Sequence, residues 1–199
     1  GINFDIAAVV DFLHRFAEEL DLGVPQLTSE QLHLLLSSRK ALRGLGPDVL
    51  SQLHIRLIQL LMDDIDKIRD WEDYFFKTNL KVATDLLDPI TWPEILRMHT
   101  HRTLPGIPAN KPMLEALHSV HTQGYDSIKI EEKLLILNYL ICEVLSTKKC
   151  YMIINDAQEQ TEKILRERME AGMKKKRLAN EKEAEKWIGK RVQLEHNND

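Results

Sequence analysis

Residues 130–145, Ile-Glu-Glu-Lys-Leu-Leu-Ile-Leu-Asn-Tyr-Leu-Ile-Cys-Glu-Val-Leu, constrain the fold more than any other stretch. Ile130, Leu134, Leu137, Ile141, Val144 and Leu145 recur at the three- and four-residue spacing of one helix face. The opposite side offers Leu135, Ile136 and Leu140 as well. A helix apolar on both sides cannot lie on a surface, so the rest of the chain must nearly surround it with protein. Strand-like alternation is almost absent elsewhere and helical spacing runs throughout, which predicts an all-α protein.

The surrounding helices can be read in order. Ile6, Val9, Val10, Leu13, Phe16, Ala17 and Leu20 define one apolar face, which Gly23 and Pro25 end. Thr28 and Gln31 have capping-box spacing, with Leu27 and Leu32 placed to staple across it and Leu32, Leu35 and Leu36 pointing inward. Pro47 is predicted at the first position of a third helix with the stripe Leu50, Leu53, Leu57, Leu60 and Leu61. Residues 71–87 hold Trp71, Tyr74, Phe75 and Phe76 and read as packing between two halves rather than as a hinge. Asp88-Pro89 then breaks the chain, and Thr91 with Glu94 is predicted to cap a new helix by a second box. A loop rich in proline follows, and Pro112 starts a helix with Met113, Leu114, Leu117 and Val120 inward, ended by Gly124. From about Asn155 to Trp187 runs one long charged helix. Ile164 and Leu165 are expected to bury its first half, and the half beyond Gly172 to lie in solvent or on a partner.

Charge narrows the function. Residues 1–75 hold seven Lys/Arg against thirteen Asp/Glu, a balance of −6, while 76–150 and 151–199 each come to +1. Phosphate binding rests on basic neutralisation, so the first block is a poor DNA binder and a better match for a basic protein. Cys142 and Cys150 are too few for a disulfide framework or a four-cysteine zinc site, and a reducing compartment is expected. No apolar run is long enough to span a membrane. The sequence opens at Gly1 with neither methionine nor signal peptide and is expected to be a piece of a longer protein.

Catalytic constellations are missing. The chain has no Walker-type, dinucleotide or nucleophile-elbow glycine motif. His99 with His101 and His118 with His121 have no cysteine near them in sequence and no metalloprotease motif, so they read as surface or helix-end histidines. Asp63-Asp64-Asp66 and Asp70-Glu72-Asp73 lack the glycine of a calcium loop and read as a solvated, protein-binding surface. Lys174-Lys175-Lys176-Arg177 is the only dense basic run, suited to phosphate contact or nuclear import.

Two segments in this order carry a family resemblance. Phe12-Leu13-His14-Arg15-Phe16, the short helix begun at Thr28, and Leu53 to Leu61 followed by Asp63-Asp64 resemble a DDT domain over residues 6–66. Trp92-Pro93-Glu94-Ile95-Leu96-Arg97, then Tyr125, Ile128, Glu131, Glu132, Lys133, Leu134, Ile136, Leu137 and Leu140, resemble the first WHIM motif over residues 90–166. Ile128 stands for the motif's leucine, and Lys129 stands where relatives carry a capping serine. The resemblance implies a DDT-type three-helix unit at 1–70, a packed junction at 71–89, a WHIM1-like helical subdomain at 90–170 and a charged helical extension at 171–199. It also implies a nuclear, non-catalytic subunit of a chromatin-remodelling complex, without cofactor or small-molecule substrate. That subunit would dock the SANT–SLIDE region of an ISWI-type ATPase, with linker DNA or histones as further partners. The docking residues expected on this reading are Glu18, Glu19, Asp63, Asp64, Asp66, Trp92, Glu94 and Lys133. Arg97, Arg102, Lys174, Lys175, Lys176 and Arg177 are expected to meet nucleic acid, and Lys133 is a further candidate for linker contact.

Overall fold

The computed structural model describes residues 1–37, 49–65, 85–103 and 111–196. Among them are seven α-helices and no strand, and the fold is all-α. In chain order these are α1 (Ile2–Phe16), α2 (Ser29–Ser37), α3 (Val49–Ile65), α4 (Trp92–Thr103), α5 (Lys111–Gln123), α6 (Ile130–Leu145) and α7 (Lys148–His196), with a 3₁₀ turn at Tyr125–Ser127. The chain divides into two compact units, Gly1–Tyr151 and Met152–Asp199. The segments resembling DDT and WHIM1 thus fall together in the first unit up to Tyr151. The aromatic residues expected to join them, Trp71, Tyr74 and Phe75, lie outside the described residues.

Helix α6 organises the first unit. It packs against α1, α2, α3 and α5, and buries Lys133, Leu134, Ile136, Leu137, Leu140, Ile141 and Val144. Ile136 and Leu140 lie within this broad inward arc. Leu135 is partly exposed on the other side. Each fully buried leucine or isoleucine here contributes on the order of 1.5–3 kcal/mol relative to exposure. The stripes read from sequence supply the walls: Ile6, Val9, Val10 and Leu13 of α1, Leu32, Leu35 and Leu36 of α2, and Leu50, Leu53, Leu57, Leu60 and Leu61 of α3 are all buried. In α5, Ala116 joins Met113, Leu117 and Val120 inside, whereas Leu114 is only half-buried.

Helix ends follow local chemistry. The Thr28–Gln31 box forms in both directions: Thr28 N–H donates to Gln31 Oε1 (2.9 Å) and Gln31 N–H to Thr28 Oγ1 (3.2 Å). After α1 the chain turns helically as far as Leu20, which is buried, and stops at Asp21, two residues earlier than the Gly23 signal suggests. Asp21 takes a left-handed φ of 53°, while Leu22 N–H donates to Ala17 O and Asp21 N–H to Glu18 O, the bond pair of a Schellman stop. Gly124, at φ 80°, ends α5 as expected.

The start of α4 differs from the predicted box. Thr91 N–H donates to Asp88 Oδ1 (2.7 Å), and Thr91 Oγ1 accepts from Asp88 N–H (2.9 Å). The amides of Thr91 and Ile90 hold the Asp88 carboxyl below the usual carboxylate range. Glu94 grips Arg97 one turn on, at 2.8 Å to Nε and 2.5 Å to Nη2. The Asp88 carboxylate, on the turn that precedes α4, takes the Thr91 N–H that the box would give to Glu94.

At α6 half of a capping box is present. Lys129 has extended backbone (φ −67°, ψ 154°), and its N–H donates to Glu132 Oε2 (3.0 Å). Lysine offers no side-chain acceptor for the reciprocal bond. Lys129→Ser supplies one and removes a cation from the positive end of the helix, so it is expected to stabilise the protein by about 0.5–1 kcal/mol. A urea midpoint that stays put or falls in this variant would contradict the assignment.

The long helix begins at Lys148, seven residues before the sequence-based start. Buried Thr147 caps it, its Oγ1 accepting from Cys150 N–H (3.4 Å), and the Asp64 carboxylate accepts from Lys148 N–H (3.4 Å). Expectation and structure part at its first half. Ile164 and Leu165, predicted to be buried, are 51% and 53% exposed. All residues from 155 to 187 are exposed.

Candidate partner-docking surface

The acidic residues named from sequence are not equivalent in place. Glu18 and Glu19 are exposed in the turn that ends α1, and Asp63 is exposed near the end of α3. Asp64, one residue on, is half-buried and spent on the first amide of α7, where a carboxylate is favoured by the helix dipole. Asp66 and the side chain of Arg102 lie outside the described residues. The exposed members, Glu18, Glu19 and Asp63, present their carboxylates to solvent.

Trp92 and Lys133 are interior residues, not surface contacts. Trp92 is 1% exposed and stacks on His54 of α3, with ring centroids 4.3 Å apart and 27° between planes. Tyr125 meets both rings edge-on, 4.9 Å from His54 and 5.2 Å from Trp92. Lys133 is 6% exposed. Its Nζ donates to Leu36 O of α2 (2.9 Å) and to Asp126 O (3.3 Å), and lies 5.4 Å from the Tyr125 ring centre. Leu36 O is among the last carbonyls of α2, which lack an intrahelical donor, so α6 caps α2 across 97 residues of sequence. The ring contributes a cation–π attraction on top.

This cluster has a titration signature. His54 Nδ1 faces Leu50 O at 2.6 Å, so that nitrogen carries the hydrogen, and the buried Nε2 has no partner among the described residues. Burial pulls the His54 pKa down to about 4, opposed by the Leu50 bond. Burial, then the Asp126 charge, pushes the Tyr125 phenol up. Burial also lowers His99, which is buried in α4 rather than at the surface.

Arg97 does not stand free for phosphate, because Glu94 holds it in a two-bond pair that raises its pKa. Lys174, Lys175, Lys176 and Arg177 are exposed, with Arg177 Nε 3.1 Å from Glu181. His118 and His121 are exposed on α5. Among the described residues no three His, Cys, Asp or Glu converge as a metal site, and no helix is long and apolar enough to cross a membrane. The Asp64 and Thr147 caps escaped the sequence reading. Ser146-Thr147 lacks the glutamate that marks a box, and Asp64 comes from 84 residues away.

Comparison with family models, with curated proteins and with solved structures finds no match.

A neutral buried histidine ties stability to pH. The unfolded chain takes up a proton near pH 6.5, while folded His54 resists it down to about pH 4. Stability is therefore whole above pH 6.5 and falls as pH drops through that window, by about 3 kcal/mol from this group. His54→Phe keeps a ring on Trp92 and removes the titration. It is expected to flatten the acid slope measured by urea unfolding between pH 7 and pH 4; an unchanged slope would exclude His54 as its source.

Proposed function

We propose that the first unit is a protein-docking module of the DDT–WHIM kind, belonging to a nuclear, non-catalytic subunit that binds the SANT–SLIDE region of an ISWI-type remodelling ATPase. The observation that carries this reading is the job each motif residue performs. Trp92 and Tyr125 clamp His54 of the DDT-like third helix. Lys133 caps the DDT-like second helix, and Glu132 caps its own. Leu134, Ile136, Leu137 and Leu140 fill the core that both segments share. Several residues that carry the resemblance thus hold the two segments in contact, which supports reading them as one module. The −6 balance of residues 1–75 adds the chemistry of the partner, a basic helical surface.

Association should be governed by the exposed acids. Glu18→Lys, Glu19→Lys and Asp63→Lys combined, with Asp64 left as a cap, is expected to slow association with a recombinant ISWI C-terminal region by about tenfold at low salt, with a smaller effect at high salt. Surface plasmon resonance gives the rate, and circular dichroism checks the fold. An unchanged association rate, or weaker binding to naked DNA in the same variant, would overturn the docking reading. A second reading, direct contact with linker DNA or a histone tail, draws on exposed Lys174, Lys175 and Lys176. It requires DNA affinity to fall, with a shallower salt slope, when those three become alanine.

A further inference from the structure

Six charged residues form a straight ridge along exposed α7: Lys163, Glu167, Glu170, Lys174, Arg177 and Glu181. Their spacings of four, three, four, three and four residues average the helical repeat, so they share one side of the helix. Their signs run plus, minus, minus, plus, plus, minus. About Gly172 the pattern is antisymmetric: position 170 mirrors 174, 167 mirrors 177, and 163 mirrors 181, each time with opposite charge. A ridge with this property is complementary to itself when reversed.

We propose that α7 pairs with α7 of a second copy of this chain, antiparallel about Gly172, through this ridge. An antiparallel pair has a two-fold axis perpendicular to the helices, which brings the same flank of both together. Lys174 then meets Glu170, Arg177 meets Glu167 and Glu181 meets Lys163, every contact occurring twice. In a parallel pair opposite flanks meet, and the ridge would not face itself. Beside the ridge runs an apolar line, Ile164, Ala171 and Leu178, spaced by seven residues and centred next to Gly172. Ile164 and Leu178 are 51% and 49% exposed within one chain. Facing a second copy, Ile164 of one helix and Leu178 of the other lie two residues, about 3 Å, from direct opposition, within reach of their side chains, and small Ala171 lets the axes come close at the crossing. The matched segment covers residues 163–181, about 27 Å of helix. Glu159 and Glu185, the next mirrored pair, are alike in charge and set its limit. The proposal stands apart from the docking role of the first unit, because every residue in it belongs to α7.

Sedimentation equilibrium of the 199-residue chain at low and high salt tests the pairing. A concentration-dependent dimer that weakens with salt is expected. Lys174→Glu with Arg177→Glu sets acid against acid and should raise the dimer dissociation constant by about tenfold or more, as should Glu167→Lys with Glu170→Lys. Mixing the two variants restores opposite charges at the 170/174 and 167/177 pairs, with Lys163–Glu181 intact throughout, and should recover the dimer as a heterodimer. Circular dichroism of each variant shows that α7 remains helical. A wild-type chain monomeric throughout, a dimer indifferent to both reversals, or a mixture that does not re-associate would overturn the proposal. A monomer that binds a DNA duplex, and loses that binding in Lys174→Glu/Arg177→Glu, would assign the ridge to nucleic acid instead.

Discussion

The amine of Lys133 leaves water to reach the open carbonyl end of another helix, and much of the first unit depends on that placement. Removing an ammonium from water is costly unless donors and charge are answered. Here two carbonyl oxygens and the face of Tyr125 surround it. Leu36 O gains the donor that the end of α2 lacks, and α6 is fixed in rotation against α2. Once that rotation is set, Leu134, Ile136, Leu137 and Leu140 must turn toward α1, α3 and α5. Trp92 and Tyr125 close the remaining gap against His54. The polar contact specifies the arrangement, and the apolar burial around it supplies most of the stability.

Much of this architecture was legible in the sequence because it rests on periodicity. The burial of α6 and the inward stripes of α1, α2 and α3 follow from spacing alone, since an apolar arc that wide has to be covered. The Thr28–Gln31 box was legible because both partners are local. What periodicity could not show is long-range polar chemistry. Lysine is normally exposed, so Lys133 reads as a surface cation until Leu36 O appears beside it. Asp64 reads as one more surface acid until α7 starts beneath it. At Thr91 two local acceptors compete, and pattern alone does not rank Asp88 above Glu94. In α7, Ile164 and Leu165 resemble a core stripe, yet both are half exposed. Two adjacent apolar residues per seven are too narrow a seam to require cover within one chain.

These placements change which residues remain for recognition. Trp92, Lys133 and Asp64 are committed to the fold, and Arg97 is held by Glu94. Of the acidic residues named from sequence, Glu18, Glu19 and Asp63 remain exposed among the described residues, as do the charges of α7 up to Trp187. Trp92, Lys133, Leu134, Ile136, Leu137 and Leu140, on which the resemblance rests, are buried. They hold the helices of the first unit in one frame, through the Lys133–Leu36 bond and the Trp92–His54–Tyr125 rings.

The His54–Trp92–Tyr125 contact is expected to make the DDT-like and WHIM1-like segments fold as one cooperative body. Native-state hydrogen exchange tests it most directly, comparing amides in the middle of α3 with those in the middle of α6. Both sets are expected to open with the same free energy, and Trp92→Ala to lower both equally, by about 3–5 kcal/mol. Separate opening free energies for α3 and α6, or a Trp92→Ala effect confined to α6, would contradict it.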